Sequence, residues 1–211
     1  MVCAGSICVT AYAELGVTTN FSFLRGASHP SEIAEQAMLC GHDAIGIADR
    51  NTLSGIVRMY DALKQLRAKF EWVPRLLVGA RLAFVDGTPD ILAYPTDRAA
   101  YGRLCQLLSE GKLRAPKGEC ILTLDDLLKW QEGLLLIVMP PRRTENPICE
   151  FDRVWNDGLA DKPGGPGVIP RERFAATSVE PEDIAAILKI LAEKAPTRVW
   201  LGAVMLHGGD D

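Results

Sequence analysis

Short apolar runs that alternate with stretches of helical period constrain this chain more than any other feature. Such alternation builds a sheet of parallel strands covered by helices, an α/β architecture. Leu15–Thr19 reads as the first strand. Ser28-His29-Pro30 opens a helix, because the first turn has no use for the N–H that proline lacks. Ile33, Ala34, Ala37 and Met38 form its apolar face, and Gly41 ends it as a left-handed cap. Ala44–Ala48, bounded by charge, reads as a buried strand.

The pattern repeats downstream. Apolar residues three or four apart predict a helix from Leu53 to Lys69, followed by a strand region over Arg75–Val85. Asp86-Gly87-Thr88-Pro89 is a turn, Ile91–Tyr94 a short strand, and Thr96–Ser109 a helix capped at Gly111. Ala115–Gly118 is a loop. Thr123-x-x-Asp126 has capping-box spacing and opens a short helix, and Gly133–Met139 is a strand ended by Pro140-Pro141. Gly158–Pro170 holds four Gly and three Pro and reads as an insertion loop. Pro181–Lys194 is a helix with acids at its start and lysine at its end, and Val199–Met205 is the last strand. About six strands result. That is too few for a closed eight-stranded barrel and suits a seven-stranded one that is incomplete at its C-terminal end.

Composition narrows the class. With 211 residues the chain is read as one domain, and 48% hydrophobic residues exclude disorder as its main state. Leu134–Met139 is the longest clean apolar run, too short for a membrane span. A formal charge of −4 argues against a generic nucleic-acid coat. Cys3, Cys8, Cys40, Cys105, Cys120 and Cys149 show neither C-x-x-C nor zinc-finger spacing. They read as reduced thiols of a cytoplasmic protein, several of them buried. Ala11-Tyr12-Ala13 imitates a signal-peptidase site, but no Lys or Arg precedes it, so no secretory leader is expected.

Function in parallel α/β folds collects at the C-terminal ends of strands. Gly16–Asn20, Asp49–Asn51, Ala80–Leu82 and Tyr94–Asp97 are therefore the segments of interest. Asp49 follows an apolar strand and precedes a helix start, a place for a metal ligand, a base, or, more commonly, a capping or loop acid. His29, His42 and His207 are isolated and suit surface or capping duty. Arg25, Arg50 and Arg81 are candidates for a shared anion-binding rim. Arg142-Arg143 reads as a solvated loop.

The run Ala13-Glu14-Leu15-Gly16-Val17-Thr18-Thr19-Asn20-Phe21-Ser22-Phe23-Leu24-Arg25-Gly26-Ala27-Ser28-His29-Pro30 closely resembles the start of bacterial error-prone DNA polymerases. These are C-family enzymes akin to the polymerase III α subunit. The likeness continues through Gly41–Gly55, Leu77–Phe84, Asp90–Arg98 and Gly118-Glu119-Cys120, and returns at Arg198–Leu201. It covers 12–140 well, 141–195 poorly and 196–211 fairly, with the insertion 158–170 inside the poor part. The resemblance implies one PHP (polymerase and histidinol phosphatase) domain over 1–211, a distorted (β/α)7 barrel expected to be incomplete at its C-terminus.

Active PHP members hold metals on His, Asp and Glu. By resemblance, the opening His-x-His falls on Gly16-Val17-Thr18, the Thr-Asp-His on Ala48-Asp49-Arg50, and the Gly-x-Glu on Gly79-Ala80-Arg81. Of the matched ligands only Asp49 survives, and Arg50 and Arg81 bring positive charge to the place of the cations. The degenerate positions are thus Gly16, Thr18, Asp49, Arg50 and Arg81, with neither catalytic nor metal-binding residues expected. One specific expectation follows: Arg81 replaces the metal and pairs with Asp49. The plainer alternative leaves both in solvent.

The resemblance also implies a parent nucleotidyltransferase used in translesion synthesis, DNA repair and damage-induced mutagenesis. Its Mg²⁺-binding palm belongs to a region beyond this sequence, so no cofactor is expected in this chain. The rest of the polymerase chain is the implied partner, with DNA, the sliding clamp and mutagenesis accessory proteins reached through it, and no membrane. Other readings on the same fold are a metal-dependent phosphoesterase or 3′–5′ exonuclease, and a stand-alone anion-binding barrel.

Overall fold

The computed structural model describes residues 12–140 and 181–202. The insertion 158–170, Arg142-Arg143, Cys3, Cys8, Cys149, His207 and the end of the last expected strand lie outside the described residues. The elements in chain order are β1 (Ala13–Val17), α1 (Pro30–Leu39), β2 (Ala44–Arg50), α2 (Ser54–Arg67), β3 (Arg75–Leu82), β4 (Ile91–Pro95), α3 (Arg98–Leu113), α4 (Leu124–Trp130), β5 (Leu134–Val138), α5 (Pro181–Lys194) and β6 (Val199–Leu201).

The strands form one curled half-barrel sheet in simple chain order, β1-β2-β3-β4-β5-β6. Among the described residues this agrees with the distorted barrel expected from the sequence. Pairs β1–β2, β2–β3 and β5–β6 are parallel, whereas β4 is antiparallel to both β3 and β5. The cause is local. Between β3 and β4 there is no crossover helix, only a short connection through the Asp86–Pro89 turn, and a short connection reverses the chain. Tyr94–Asp97 therefore lies at the end of the sheet opposite to the C-terminal ends of β2 and β3, and Asp90 takes the place the sequence reading gave it.

Two apolar layers hold the helices to the convex side. Ile45 and Ile47 of β2 pack with Ala34 and Ala37 of α1 and with Ile56, Met59, Leu63 and Leu66 of α2. Farther along, Ala80, Leu82, Ile91 and Leu136 pack with Leu104, Leu107, Leu127 and Leu191 from α3, α4 and α5. Each fully buried Leu or Met is worth ~1.5–3 kcal/mol of transfer free energy, so these stripes dominate the fold. On the concave side Ala48, Leu92 and Tyr94 form a third cluster, edged by Leu77, Leu135, Ile137 and Met139.

Helix ends follow the expected chemistry at three places. Pro30 opens α1, where the Glu32 carboxylate accepts the His29 N–H at 2.8 Å. Gly41 has φ 73° and the His42 N–H returns to the Ala37 carbonyl, as the expected left-handed cap requires. Thr123 and Asp126 cap α4 reciprocally. Gly111 differs from expectation. It lies inside α3, and a Cβ there would stand 2.5 Å from Leu122 Cδ2 and 2.8 Å from Cys120 Sγ, so it serves close packing rather than capping. The described cysteines are free, but Cys40 is exposed and Cys105 and Cys120 are half-buried, so none of these three is a core residue. Among the described residues no helix is long and apolar enough to cross a membrane.

Candidate functional site

The two-residue period of β2 sorts its last residues. Ile45 and Ile47 face the helices, so Asp49 shares their side, while Gly46 and Ala48 face the concave surface and Arg50 follows them. On β3 the same parity puts Gly79 and Arg81 on the concave side and Ala80 and Leu82 under α3. Arg50 and Arg81 are direct register partners. Two like charges placed opposite each other repel, and such a pair needs an anion.

That anion is Asp90. Its Oδ2 lies 3.7 Å from Arg81 Nη1 and 4.0 Å from Arg50 Nη1. Sequence reasoning missed this residue, although the Asp86–Pro89 turn was visible. A hairpin at that turn brings the residue just before the next strand to the site end of its neighbour. The Arg81 guanidinium is one-fifth exposed, and its Nε is buried without a hydrogen-bond partner.

Asp49 is built into a different network. It is fully buried. Its Oδ1 accepts the Thr19 N–H at 2.8 Å and the Ser22 hydroxyl at 2.7 Å, and its Oδ2 accepts the Thr19 hydroxyl at 2.8 Å. Ser22 Oγ in turn accepts the Arg50 N–H at 2.9 Å. A Cβ on Gly55, in the first turn of α2, would stand 2.5 Å from Asp49 Oδ2, so only glycine lets the helix start come this close. The helix dipole favours a carboxylate there. The expected Arg81–Asp49 pair is thus corrected: the two side chains emerge on opposite faces of the sheet, and Arg81 pairs with Asp90. The solvent-facing alternative fails as well, since Asp49 is buried. Nor is Asp49 a cap, for α2 has Leu53 at its N-cap and no side-chain capping bond.

The other predicted positions are close by. Gly16 has φ 78° at an irregularity in the β1–β2 register, and its N–H donates to Tyr94 Oη at 3.0 Å. Thr18 Oγ1 donates to the Gly16 carbonyl at 3.4 Å. Arg25 lies on the exposed turn after Ser22. Asn51, with φ 50°, extends the β2–β3 ladder by side chain: its Oδ1 accepts the Ala83 N–H and its Nδ2 donates to the Ala83 carbonyl. Tyr94 crosses the concave face, where a Cβ on Gly79 would be 2.4 Å from Tyr94 Cε1 and one on Gly46 2.9 Å from Tyr94 Oη. Burial pushes the Tyr94 hydroxyl pKa up, against the opposing pull of the Gly16 N–H and of Arg81.

These residues do not fit a metal cluster. Among the described residues no group of three or more His, Cys, Asp or Glu is placed to hold an ion. The Asp49 oxygens already serve three donors, and two guanidiniums occupy the concave strand ends. A cation there meets like charge in a half-buried setting.

Proteins similar to this chain are known among both solved structures and sequences. Among solved structures, an amidohydrolase from Chromobacterium violaceum with bound sulfate and no metal aligns at a TM-score of 0.48 and 15% identity, over 95% of this chain and 89% of that one. The error-prone DNA polymerase of Rhodopseudomonas palustris strain BisA53 is 66% identical over 211 residues, which is 95% of this chain and 18% of the polymerase. That of strain HaA2 is 48% identical over 217 residues, again 95% of this chain and 18% of the relative. The chain thus spans under a fifth of the length of these relatives. The PHP domain model matches residues 14–162. With its one-sheet curl, its strand-end site and that match over most of its length, the chain belongs to the PHP domain family.

Proposed function

We propose that this chain is a structural, catalytically silent PHP module of an error-prone DNA polymerase that acts in translesion synthesis and damage-induced mutagenesis. The observation that carries the reading is the exchange at the strand ends: an Arg50–Asp90–Arg81 cluster stands on the concave side, and the one surviving acid, Asp49, is spent on Thr19 and Ser22. The polymerase setting is supported by relatives of that name at 48% and 66% identity. In this reading the module packs on the polymerase body. Nucleotidyl transfer, and its Mg²⁺, belong to the rest of that polymerase, as do contacts with DNA, the sliding clamp and accessory proteins, all in the cytoplasm.

The test has two parts. Purified chain is assayed for hydrolysis of an aryl phosphate and for 3′–5′ shortening of a labelled oligonucleotide with Mg²⁺, Mn²⁺ and Zn²⁺. Rates at the blank are expected. A metal-dependent rate abolished by Asp49→Ala and kept by Ser22→Ala overturns the silent reading. An immunoblot of the source cell addresses the setting: a product several times longer than 211 residues is expected, and a stable product of this length alone overturns it.

A further inference from the structure

The end of the sheet remote from Arg50 and Arg81 carries a different surface. The segment from Lys64 to Arg75 holds four cations, Lys64, Arg67, Lys69 and Arg75, against one acid, Glu71, in a chain whose formal charge is −4. Among the described residues none of the four stands in an ion pair. Lys64 and Arg67 lie three apart in the last turn of α2, on one face, where the helix dipole favours cations. The dipole does not account for Lys69, which lies beyond the helix, nor for what stands between the cations. Arg75 opens β3 six residues before Arg81, which puts about 20 Å between this surface and the strand-end cluster.

Two aromatic rings stand among these charges. Phe70 is 49% exposed and Trp72 44% exposed, both in the connection from α2 to β3. That connection is fixed at both ends. The N–H groups of Lys69 and Phe70 donate to the Leu66 carbonyl, each at 2.9 Å, and Arg67 Nη2 donates to the Pro74 carbonyl at 3.4 Å. Val73 packs against the apolar layer of β2, α1 and α2, and Pro74 is buried, so these two turn inward and the rings stay outside. The bond from Arg67 to Pro74 closes a loop of only eight residues, and the rings share its small surface with Arg67 and Lys69. Grouped exposed rings mark a contact surface. Rings set among cations match a single nucleic-acid strand, whose phosphates lie on cations and whose bases stack on rings. A duplex hides its base faces, and an acidic peptide offers no run of planar faces.

We propose that the α2–β3 connection is a contact site for single-stranded nucleic acid, with Phe70 and Trp72 as stacking platforms for bases and Lys64, Arg67, Lys69 and Arg75 on the backbone phosphates. No covalent bond is made or broken. The site lies apart from the strand-end cluster. It goes beyond the reading above, which leaves DNA to the rest of the polymerase.

The experiment titrates the full 211-residue chain with a twelve-nucleotide oligothymidine at several salt concentrations. Binding is read by anisotropy of a labelled strand and by tryptophan emission with an unlabelled one. Binding with quenching is expected. Phe70→Ala and Trp72→Ala each weaken it about tenfold, the size of one stacked base. Trp72→Phe keeps most of the affinity and loses most of the quenching, a separation that misfolding cannot imitate. Lys64→Gln and Lys69→Gln each lower the salt slope by about 0.7. Lys117→Gln, in the loop after α3, leaves affinity and slope as in the wild type. Absence of oligonucleotide binding, affinity unmoved by the ring variants, or a loss in Lys117→Gln equal to that in Lys69→Gln overturns the proposal. Ring-dependent binding to phosphatidylglycerol vesicles without oligonucleotide binding also overturns it, in favour of a lipid surface. The readout is binding alone, so a failure here is distinct from a failure of the silent reading.

Discussion

Asp49 and Arg81 stand on neighbouring strands, one residue out of register, and project to opposite faces of the sheet. Asp49 meets Thr19 and Ser22 beneath the start of α2, and Arg81 meets Asp90 on the concave side. A single step along a strand reverses a side chain, so the register Arg50↔Arg81 decides that the two arginines meet and that the surviving acid does not join them. One strand end thus serves two purposes. Its convex side is an internal lock that fastens the turn after β1 to β2. Its concave side is a charged rim.

The lock predicts that Asp49 matters to stability. Replacing it with Ala leaves the Thr19 N–H and two hydroxyls without their acceptor in a fully buried place. Unsatisfied buried groups of this kind cost ~1–3 kcal/mol each, with partial relief by relaxation, so a loss of ~3 kcal/mol is expected in urea unfolding. Ser22→Ala removes one donor to Asp49 and the acceptor of the part-buried Arg50 N–H, and its loss is smaller, ~1–2 kcal/mol. Chelator treatment of the wild type leaves its midpoint unchanged. A chelator-sensitive midpoint that Asp49→Ala abolishes would show the carboxylate holding a metal instead.

Two glycines in helices predict opposite signs for one substitution. A Cβ on Gly55 would meet Asp49 Oδ2 at 2.5 Å and Thr19 Oγ1 at 2.8 Å, both parts of the lock. Gly102 lies in the interior of α3, exposed, with nothing within 4 Å of its added Cβ. Alanine is favoured over glycine in helix interiors by ~1 kcal/mol, so Gly102→Ala raises the unfolding midpoint. Gly55→Ala lowers it by more than that, because the propensity gain is outweighed by displacing the buried carboxylate. Thermal melts of the two single variants decide the matter, and a Gly55→Ala protein as stable as wild type refutes the close approach.

Element order was legible because apolar periodicity reports which face is buried, and buried apolar residues mark β2 to β5 and all five described helices, whereas β1 and β6 hold none. The direction of β4 was not. The Asp86–Pro89 turn was seen, but its consequence, a reversed strand carrying Asp90 to the arginines, depends on which connection the sheet uses. Arg50 and Arg81 were read as rim residues from their strand-end positions, and they do meet. The Asp49 partners were hidden for another reason. Thr19 and Ser22 follow β1 by two and five residues, and only the folded turn brings them 27 to 30 positions across the sequence to Asp49. Gly111 was misread because a glycine serving close packing looks the same in sequence as one serving a cap.

Acid should loosen α4. Asp126 loses solvation by partial burial, yet its pKa is lowered overall, because Arg114 donates to both its oxygens at 2.7 and 2.9 Å and the N–H and hydroxyl of Thr123 add to them. A carboxyl depressed in the folded state contributes stability that is present above its unfolded pKa and is lost as pH falls through the folded value. The loss therefore begins below about pH 4. Asp126→Asn removes this part of the acid dependence and costs ~1 kcal/mol at neutral pH through the weakened cap. Urea midpoints of both proteins between pH 2 and 7 test it; parallel profiles would show that Asp126 carries none of the dependence.

Alkali acts through Tyr94. Burial pushes its hydroxyl pKa above the ordinary value, while the Gly16 N–H and Arg81 pull the other way. Above about pH 10 the unfolded chain releases this proton before the folded one does, so the folded state holds more protons and stability falls with rising pH. Tyr94→Phe abolishes that part of the slope. At pH 7 the same substitution removes the acceptor of the Gly16 N–H and costs ~1 kcal/mol. The two stability profiles therefore converge as pH rises. Tyr12 and Tyr101, also raised, keep a residual slope in both proteins. Urea midpoints measured between pH 7 and 11 read the convergence directly. A constant gap between the two proteins over that range would mean that Tyr94 ionises alike in the folded and unfolded chain, contrary to its place across Gly46 and Gly79 on the concave face.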